Sequence, residues 1–244
     1  MNSIQYGNRN IDYEIKKGDR IRTVAIRINP TGAVTVLSPQ SLDAESIQKI
    51  LYRRRKWIIE KQEQVRKYTD ANSVKQFVSG ESFPYVGRYY RLKVTKLTPA
   101  GQNKCRLANG RFFVEGDGHT DSKNGNPSVK RALIEWYMEH AEEKIKERVN
   151  EFAPLIGKRP ASIQVKNQEK RWGSCSRRGI IRFNWKIVMA PIRVMDYVIV
   201  HELCHLIYAH HSAEFWQKVQ SVIPDYEKRR HLLKEFSLQI VGLD

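Results

Sequence analysis

The chain has 244 residues, 41% of them hydrophobic, with nine prolines and fourteen glycines, a composition that excludes collagen-like and intrinsically disordered classes. Lys and Arg outnumber Asp and Glu by 43 to 26, giving a net charge of +17, which fits either association with nucleic acid or another polyanion or a solubilising surface, and says nothing of fold. No run approaches 18 apolar residues, the start MNSIQYGNRNIDYEI lacks a signal-peptide pattern, and three cysteines (Cys105, Cys175, Cys204) make no disulfide framework; together these lead us to expect a cytoplasmic protein with no membrane partner.

Residues 11–38 alternate apolar and polar, with Val24, Ile26 and Ile28 set against Val34 and Val36 across Asn29-Pro30-Thr31-Gly32. Period two around a Pro/Gly turn predicts a β-hairpin, closed at Pro39. Residues 43–68 change period: Ile47, Ile50, Leu51, Trp57, Ile58, Val65 and Tyr68 follow helical spacing, with Ser41 or Asp43 as the cap. This helix carries Arg53-Arg54-Arg55-Lys56 beside Trp57. Two readings stand: a nucleic-acid-facing surface, or a solvated basic face with Trp57 in the core.

From Gly80 to Glu115 short β-like runs return, punctuated by Gly87, Gly101, Gly110 and Gly116, and the polar stretch 116–127 (GDGHTDSKNGNP) reads as a linker. Residues 1–120 hold 22 basic and 11 acidic side chains, net +11, against +6 for the remainder. The sequence therefore divides into a β-rich basic domain, 1–120, and a second domain, 121–244. No internal repeat is visible. Residues 128–152 predict a long helix capped by Ser128. Strands follow within 162–188 around a turn at 176–179, then an apolar helix over 192–209, then closing helices over 213–236 broken at Pro224. The fold class is α+β.

The chemistry concentrates in His201-Glu202-Leu203-Cys204-His205. Helical positions i and i+4 share a face, so His201 and His205 can meet one cation, while Glu202 sits beside them, placed to act on a water instead of the metal. Imidazole ligands suit zinc, one ion per chain, and three protein ligands plus water make a catalytic site. His211 is the first choice for the third ligand; His210, Glu214 and Asp225 are alternatives. The rest of the site is less determined. Arg171 is read as an oxyanion donor or as a structural ion pair with Glu169 or a helix carboxylate. Tyr208 and Tyr226 are candidate transition-state donors. Trp172, Trp185 and Trp216 are expected to pack in the core and Cys204 to pack as a small apolar residue; for Cys175, in a turn after Gly173 and Ser174, a thiol that reaches the metal is the lesser reading.

The segments YVIVHELCH at 197–205, HSAEFW at 211–216, RWGSCS at 171–176 and Asn184-Trp185 together closely resemble the YgjP-like metallopeptidase family, related to the SprT and WLM zinc peptidases. Weaker likenesses extend to Trp57, GESFPYVGRYYRL at 80–92 and Trp136-Tyr137. The resemblance implies a gluzincin-like minimal zincin domain with the HExxH motif on its active-site helix. It implies His201, His205 and His211 as zinc ligands and Glu202 as base. The three-histidine spacing equals that of metzincins, yet Tyr208 stands where those proteins place a glycine. SprT and WLM peptidases act on DNA-associated proteins, a setting compatible with the charge here. The expected activity is peptide-bond hydrolysis on a protein or peptide substrate. Two alternatives remain open: a metal-dependent hydrolase of nucleoside triphosphates, for which no P-loop is present, and a nucleic-acid-binding protein with a zinc site.

Overall fold

In the computed structural model, period-two patterning becomes strands and helical patterning becomes helices. The structure describes residues 2–7, 9–19, 21–29, 32–71, 75–96, 104–116, 126–168 and 171–239. Two compact units emerge: Met1–Val74 with Ser237–Asp244, and Lys75–Phe236.

The first unit contains β1 (Asn2–Tyr6), β2 (Arg9–Gly18), β3 (Ala25–Ile28), β4 (Val34–Pro39) and α1 (Ala44–Ala71). Strand order is β1-β2-β4-β3; the outer pairs are antiparallel and the central β2–β4 pair is parallel. The predicted hairpin is the β3–β4 pair. Asn29 bridges its turn, its carboxamide oxygen accepting from Ala33 N at 2.8 Å, while Pro30 and Thr31 lie outside the described residues. Alternation buries Ile4, Ile11, Tyr13, Val34 and Val36 on one sheet face, where Ile47, Leu51 and Ile58 of α1 cover them. Trp57 stays outside this core, 42% exposed, and Tyr52 is 55% exposed beneath the Arg55 guanidinium, 3.6 Å from its ring centroid. Tyr68 and Val65, expected on the apolar face, have side chains outside the described set.

The second unit opens with β5 (Ser82–Tyr85), β6 (Arg88–Lys96), β7 (Cys105–Ala108) and β8 (Arg111–Gly116), followed by α2 (Pro127–Ile156). Its strand order, β5-β6-β8-β7, and its pairing, antiparallel outside and parallel at the centre, repeat those of the first unit. The ββββα arrangement thus occurs twice, although no sequence repeat announces it. Asn109 and Gly110, at φ of 49° and 70°, form the two-residue left-handed turn between β7 and β8 that Asn-Gly favours. The cap of α2 is Asn126, not Ser128: Asn126 Oδ1 accepts from Val129 N at 3.1 Å and from Ser128 Oγ at 2.8 Å, with Pro127 at the first helical position.

The chain divides after Val74, not near residue 120, because β5–β8 packs on α2. Trp136 meets Tyr85 and Phe112 edge-on, each at 4.9 Å between centroids, and Tyr137 Oη donates to Pro84 O at 2.6 Å. The putting together of these aromatic rings outweighs the Gly/Asn-rich composition of the linker, whose residues 117–125 lie outside the described set.

After α2 come β9 (Ser162–Lys166), β10 (Gly173–Cys175) and β11 (Ile180–Asn184), in order β10-β11-β9, then a 3-10 turn at Trp185–Met189, α3 (Ile192–Cys204), α4 (Ala213–Val222) and α5 (Tyr226–Gln239). The protein is therefore mixed α and β, with five helices and three small sheets among the described residues. No helix among them is long and apolar enough to cross a membrane.

Candidate metal centre

Helix α3 is apolar almost throughout, and ten of its thirteen residues are buried. It is fixed to α2 by one buried ion pair: Arg148 donates from Nε to Asp196 Oδ1 at 2.7 Å and from Nη2 to Oδ2 at 2.9 Å. A bidentate guanidinium–carboxylate pair sets orientation as well as distance. On the sheet side Gly87, at φ +76°, backs onto Pro191 at the α3 N-terminus. A Cβ there would lie 2.7 Å from Pro191 Cα.

The helix ends at Cys204, five residues earlier than the sequence suggested. Leu206 N donates to Leu203 O at 3.0 Å, and Ile207 N and Tyr208 N both donate to Cys204 O at 3.0 and 2.9 Å. Neither Tyr208 nor its neighbours take a positive φ. The turn that brings the chain back therefore closes with ordinary backbone angles, and a tyrosine serves where a left-handed turn would demand glycine.

This turn delivers His211 to the histidines of α3. Ring nitrogens of His201, His205 and His211 all lie within 4.8 Å of one another, and His211 Nε2 is 3.0 Å from His201 Nε2. The donors of a tetrahedral zinc ion stand about 3.4 Å apart, so this set needs only small ring rotations to accept one. His205 Nδ1 sits 3.0 Å from Tyr208 O; donating there, it turns Nε2 toward the cluster, the usual anchoring of a ligating imidazole. His201 Nδ1 is buried with no hydrogen-bond partner among the described residues. Packing holds that ring instead, with Phe215 5.0 Å away between centroids. Burial, reinforced by the charges of His205, His211 and Arg230, pushes His201 down to about 3, and burial likewise lowers His211. Both imidazoles are neutral at neutral pH, the form that binds a metal. Among the described residues this is the group able to hold a cation. His210, Glu214 and Asp225 are all exposed and outside it, and Asp225 instead accepts from Arg229 Nε at 2.8 Å.

Glu202 is not one of the grouped ligands and is 6% exposed. Burial pushes its carboxyl up to about 8, against the opposing charge of Arg171. It rests on Gly173, the first residue of β10: a Cβ built there would lie 2.6 Å from Glu202 Cγ and 2.8 Å from Oε1. Gly173 has no left-handed φ. It is glycine for space, a reason that the RWGSCS segment alone does not reveal. Arg171 is exposed, close enough for its charge to act on Glu202; Glu169, its expected partner, lies outside the described residues.

The other sequence candidates fall as follows. Tyr208 serves the cluster through its backbone carbonyl. Tyr226 Oη donates to Glu227 Oε1 at 3.4 Å, and its ring stacks on Trp216. Trp185 is buried, and Trp172 packs on Phe236. Trp216, expected in the core, is only half-buried, and its ring stacks on His211 at 5.5 Å and 19°. Phe215 and Trp216 form an aromatic wall around the histidines. Cys204 is buried and its thiol pushed up to about 12 by burial; Cys175 donates to Ser176 O at 3.6 Å, its thiol raised by burial and by Glu202. Neither belongs to the cation cluster, and both are protonated and weakly reactive.

A model of the YgjP-like metallopeptidase domain matches residues 22–236. No curated protein matches the chain. Among solved structures, the metallopeptidase zymogen of Pyrococcus abyssi abylysin is similar over 39% of this chain and 94% of that one, at 19% identity and a TM-score of 0.36, a loose likeness.

Proposed function

The chain belongs to the YgjP-like metallopeptidase family, and on that premise we propose that it is a zinc endopeptidase, with His201, His205 and His211 holding the ion and Glu202 as general base. The observation behind this reading is the convergence of three imidazoles, His201 among them next in sequence to a buried carboxylate on the same helix. Bound zinc supplies Lewis acidity to a water and to the scissile carbonyl. Glu202 takes the proton of the attacking water and returns it to the leaving amine. Its seat against Gly173 holds the carboxylate in one place, and the low-dielectric surroundings favour its accepting a proton. Arg171 faces the same carboxylate and offers N–H groups to the oxyanion, while Tyr226 and the Tyr208 carbonyl position Trp216 and His205.

Substrate enters as an added strand on β10. That strand pairs with β11 on one side and is an edge of its sheet, so its backbone groups can pair with an extended peptide. Three free cysteines suit a reducing cytoplasm.

The test is purified, zinc-loaded protein on an unstructured protein substrate, with nucleoside triphosphates assayed in parallel. Glu202→Gln is expected to keep one zinc and lower cleavage by 10²–10⁴-fold, the usual range for a general base. Full cleavage by that variant would remove Glu202 from its role, and turnover confined to the triphosphates would replace the peptidase reading.

A further inference from the structure

One cation beside the centre has no part in the chemistry above. Trp216 lies between His211, stacked on it at 5.5 Å, and Tyr226, stacked at 5.3 Å, both with planes 19° apart. Arg230, one helical turn beyond Tyr226 on α5, holds its guanidinium carbon 5.2 Å from the Trp216 centroid. Its charge is felt by His201, His211 and Tyr197. Arg230 is exposed and, among the described residues, makes no hydrogen bond or ion pair. Its neighbour Arg229, in contrast, is committed to Asp225 and to Arg193 O.

A free guanidinium next to a cation centre is electrostatically unfavourable for the cation, since like charges repel at this range even in a screened setting. It is not explained as an aid to metal binding. Nor does the fold use it, since no carboxylate among the described residues answers it. Its approach to Trp216 does, however, place the guanidinium at the edge of the site, beside the ring that stacks on His211. A planar fork with its donors unspent among the described residues is the form that recognises a carboxylate bidentately.

We infer that Arg230 is a specificity-determining residue that receives a carboxylate of the peptide substrate, either an acidic side chain or the C-terminus, beside the histidine cluster. This rests on the peptidase reading. Lysine would supply the charge without the fork, and glutamine neither.

The test separates binding from turnover. The full-length, zinc-loaded Glu202→Gln protein is titrated with fluorescent octapeptide pools carrying Glu, Gln or Lys on either side of a random centre, each with a free or an amidated C-terminus. A pool bearing the recognised carboxylate is expected to bind about tenfold more tightly than its uncharged counterpart, the scale of one charge-assisted pair. The Glu-against-Gln and free-against-amidated comparisons tell the two carboxylate sources apart. Adding Arg230→Gln should bring the ratio to about one, Arg230→Lys should restore part of it, and Arg230→Glu should turn the preference to the Lys pools. Zinc content and far-UV circular dichroism of each variant establish that the centre is intact. A ratio near one in the parent protein, a ratio that survives Arg230→Gln, or no binding of any pool would overturn the inference. Cleavage of the same pools by the protein with Glu202 intact is scored separately. Carboxylate preference in binding without any cleavage would count against the peptidase reading alone, and cleavage without preference against Arg230 alone.

Discussion

Matching Ile47 and Leu51 of α1 to Val129 and Leu133 of α2, which share a four-residue spacing, sets Arg54 and Arg55 at the positions of Trp136 and Tyr137. The two ββββα modules have the same strand order and pairing, so this one difference changes what each helix can do. In the second module Trp136 and Tyr137 fill the space against Tyr85 and Phe112, and the burial of α2 continues through Ile145, Val149, Phe152 and Ile156. In the first, Arg54 and Trp57 border an open cleft of about 260 Å³ with Val24, Ile26 and Ile50, and among the described side chains of α1 burial follows a single stripe, Ile47, Leu51 and Ile58. A helix covered on one side can close a sheet. A helix covered on more than one side can also carry another element, and α2 carries α3 with its histidines.

The ion pairs divide in the same way, and breaking them should show the largest contrast. Arg148 and Asp196 have side chains only 16% and 9% exposed, whereas Arg9 and Glu63 are 58% and 49% exposed. Arg148→Ala is expected to lower unfolding stability by about 3–5 kcal/mol, because it strands a buried carboxylate. Arg9→Ala should cost less than about 1 kcal/mol. Denaturant midpoints of both variants measure this. Burial pushes the Asp196 carboxyl up and Arg148 opposes the shift. Without Arg148 the folded-state pKa rises further above its unfolded value. A group so raised favours the folded state at low pH and costs stability as pH rises through the folded pKa. The deficit of Arg148→Ala should therefore shrink on acidification, and a pH-independent deficit would mean that Asp196 is not the cause.

A smaller but more local effect is expected at Gly173. Gly173→Ala places a methyl group 2.6 Å from Glu202 Cγ, so the carboxylate must move. Displacement of a base by a fraction of an ångström to one ångström lowers kcat/KM by about a hundredfold, about 2.7 kcal/mol, with zinc content unchanged. If Gly173→Ala retained activity, Glu202 would have to be free to relocate, against its close packing.

Tyr137→Phe should cost about 1–2 kcal/mol, since it removes the 2.6 Å donation to Pro84 O and leaves that carbonyl unanswered. The value falls between the buried ion pair and the exposed one, as expected for a neutral bond at the edge of the aromatic cluster.

How far these features could be read from sequence depends on their range. The spacing of His201, His205 and His211 was legible because a helix makes i and i+4 neighbours and a short turn supplies the third ring. The β3–β4 hairpin was legible from alternation across Asn29 and Gly32. The parallel pairings β2–β4 and β6–β8 were not, because each central pair is separated by an inserted strand and nothing local specifies it. The repeated architecture escaped for the same reason: it lies in the pairing, while residues at matching places, such as Arg54 and Trp136, differ in kind. Gly173 carries no signal of its own in the sequence, because the contact that defines it comes from a distant segment, Glu202, and Trp216 reads as core because residue type alone does not reveal the turn that stacks it on His211.

The smallest predicted effect tests the comparison most directly. If Arg54 is simply the place where the first module stops filling its core, then Arg54→Leu should extend apolar contact toward Val24, Ile26 and Trp57, which already line the cleft. Its side chain is exposed, with no hydrogen bond or ion pair among the described residues, so removing the charge breaks nothing there. Cavity-filling substitutions of this kind give about 0.5–2 kcal/mol, and the partial exposure of the cleft places the gain near the lower bound. Thermal melts of the full-length protein, compared with Trp57→Ala, which should move stability by less than about 1 kcal/mol, give the measurement. Trp136→Arg, the reciprocal exchange, would bury a charge against Phe112 and Tyr85 and should unfold the second unit. A loss of stability in Arg54→Leu would break the comparison, because it would assign the first module's arginine a structural duty like that of the tryptophan it replaces.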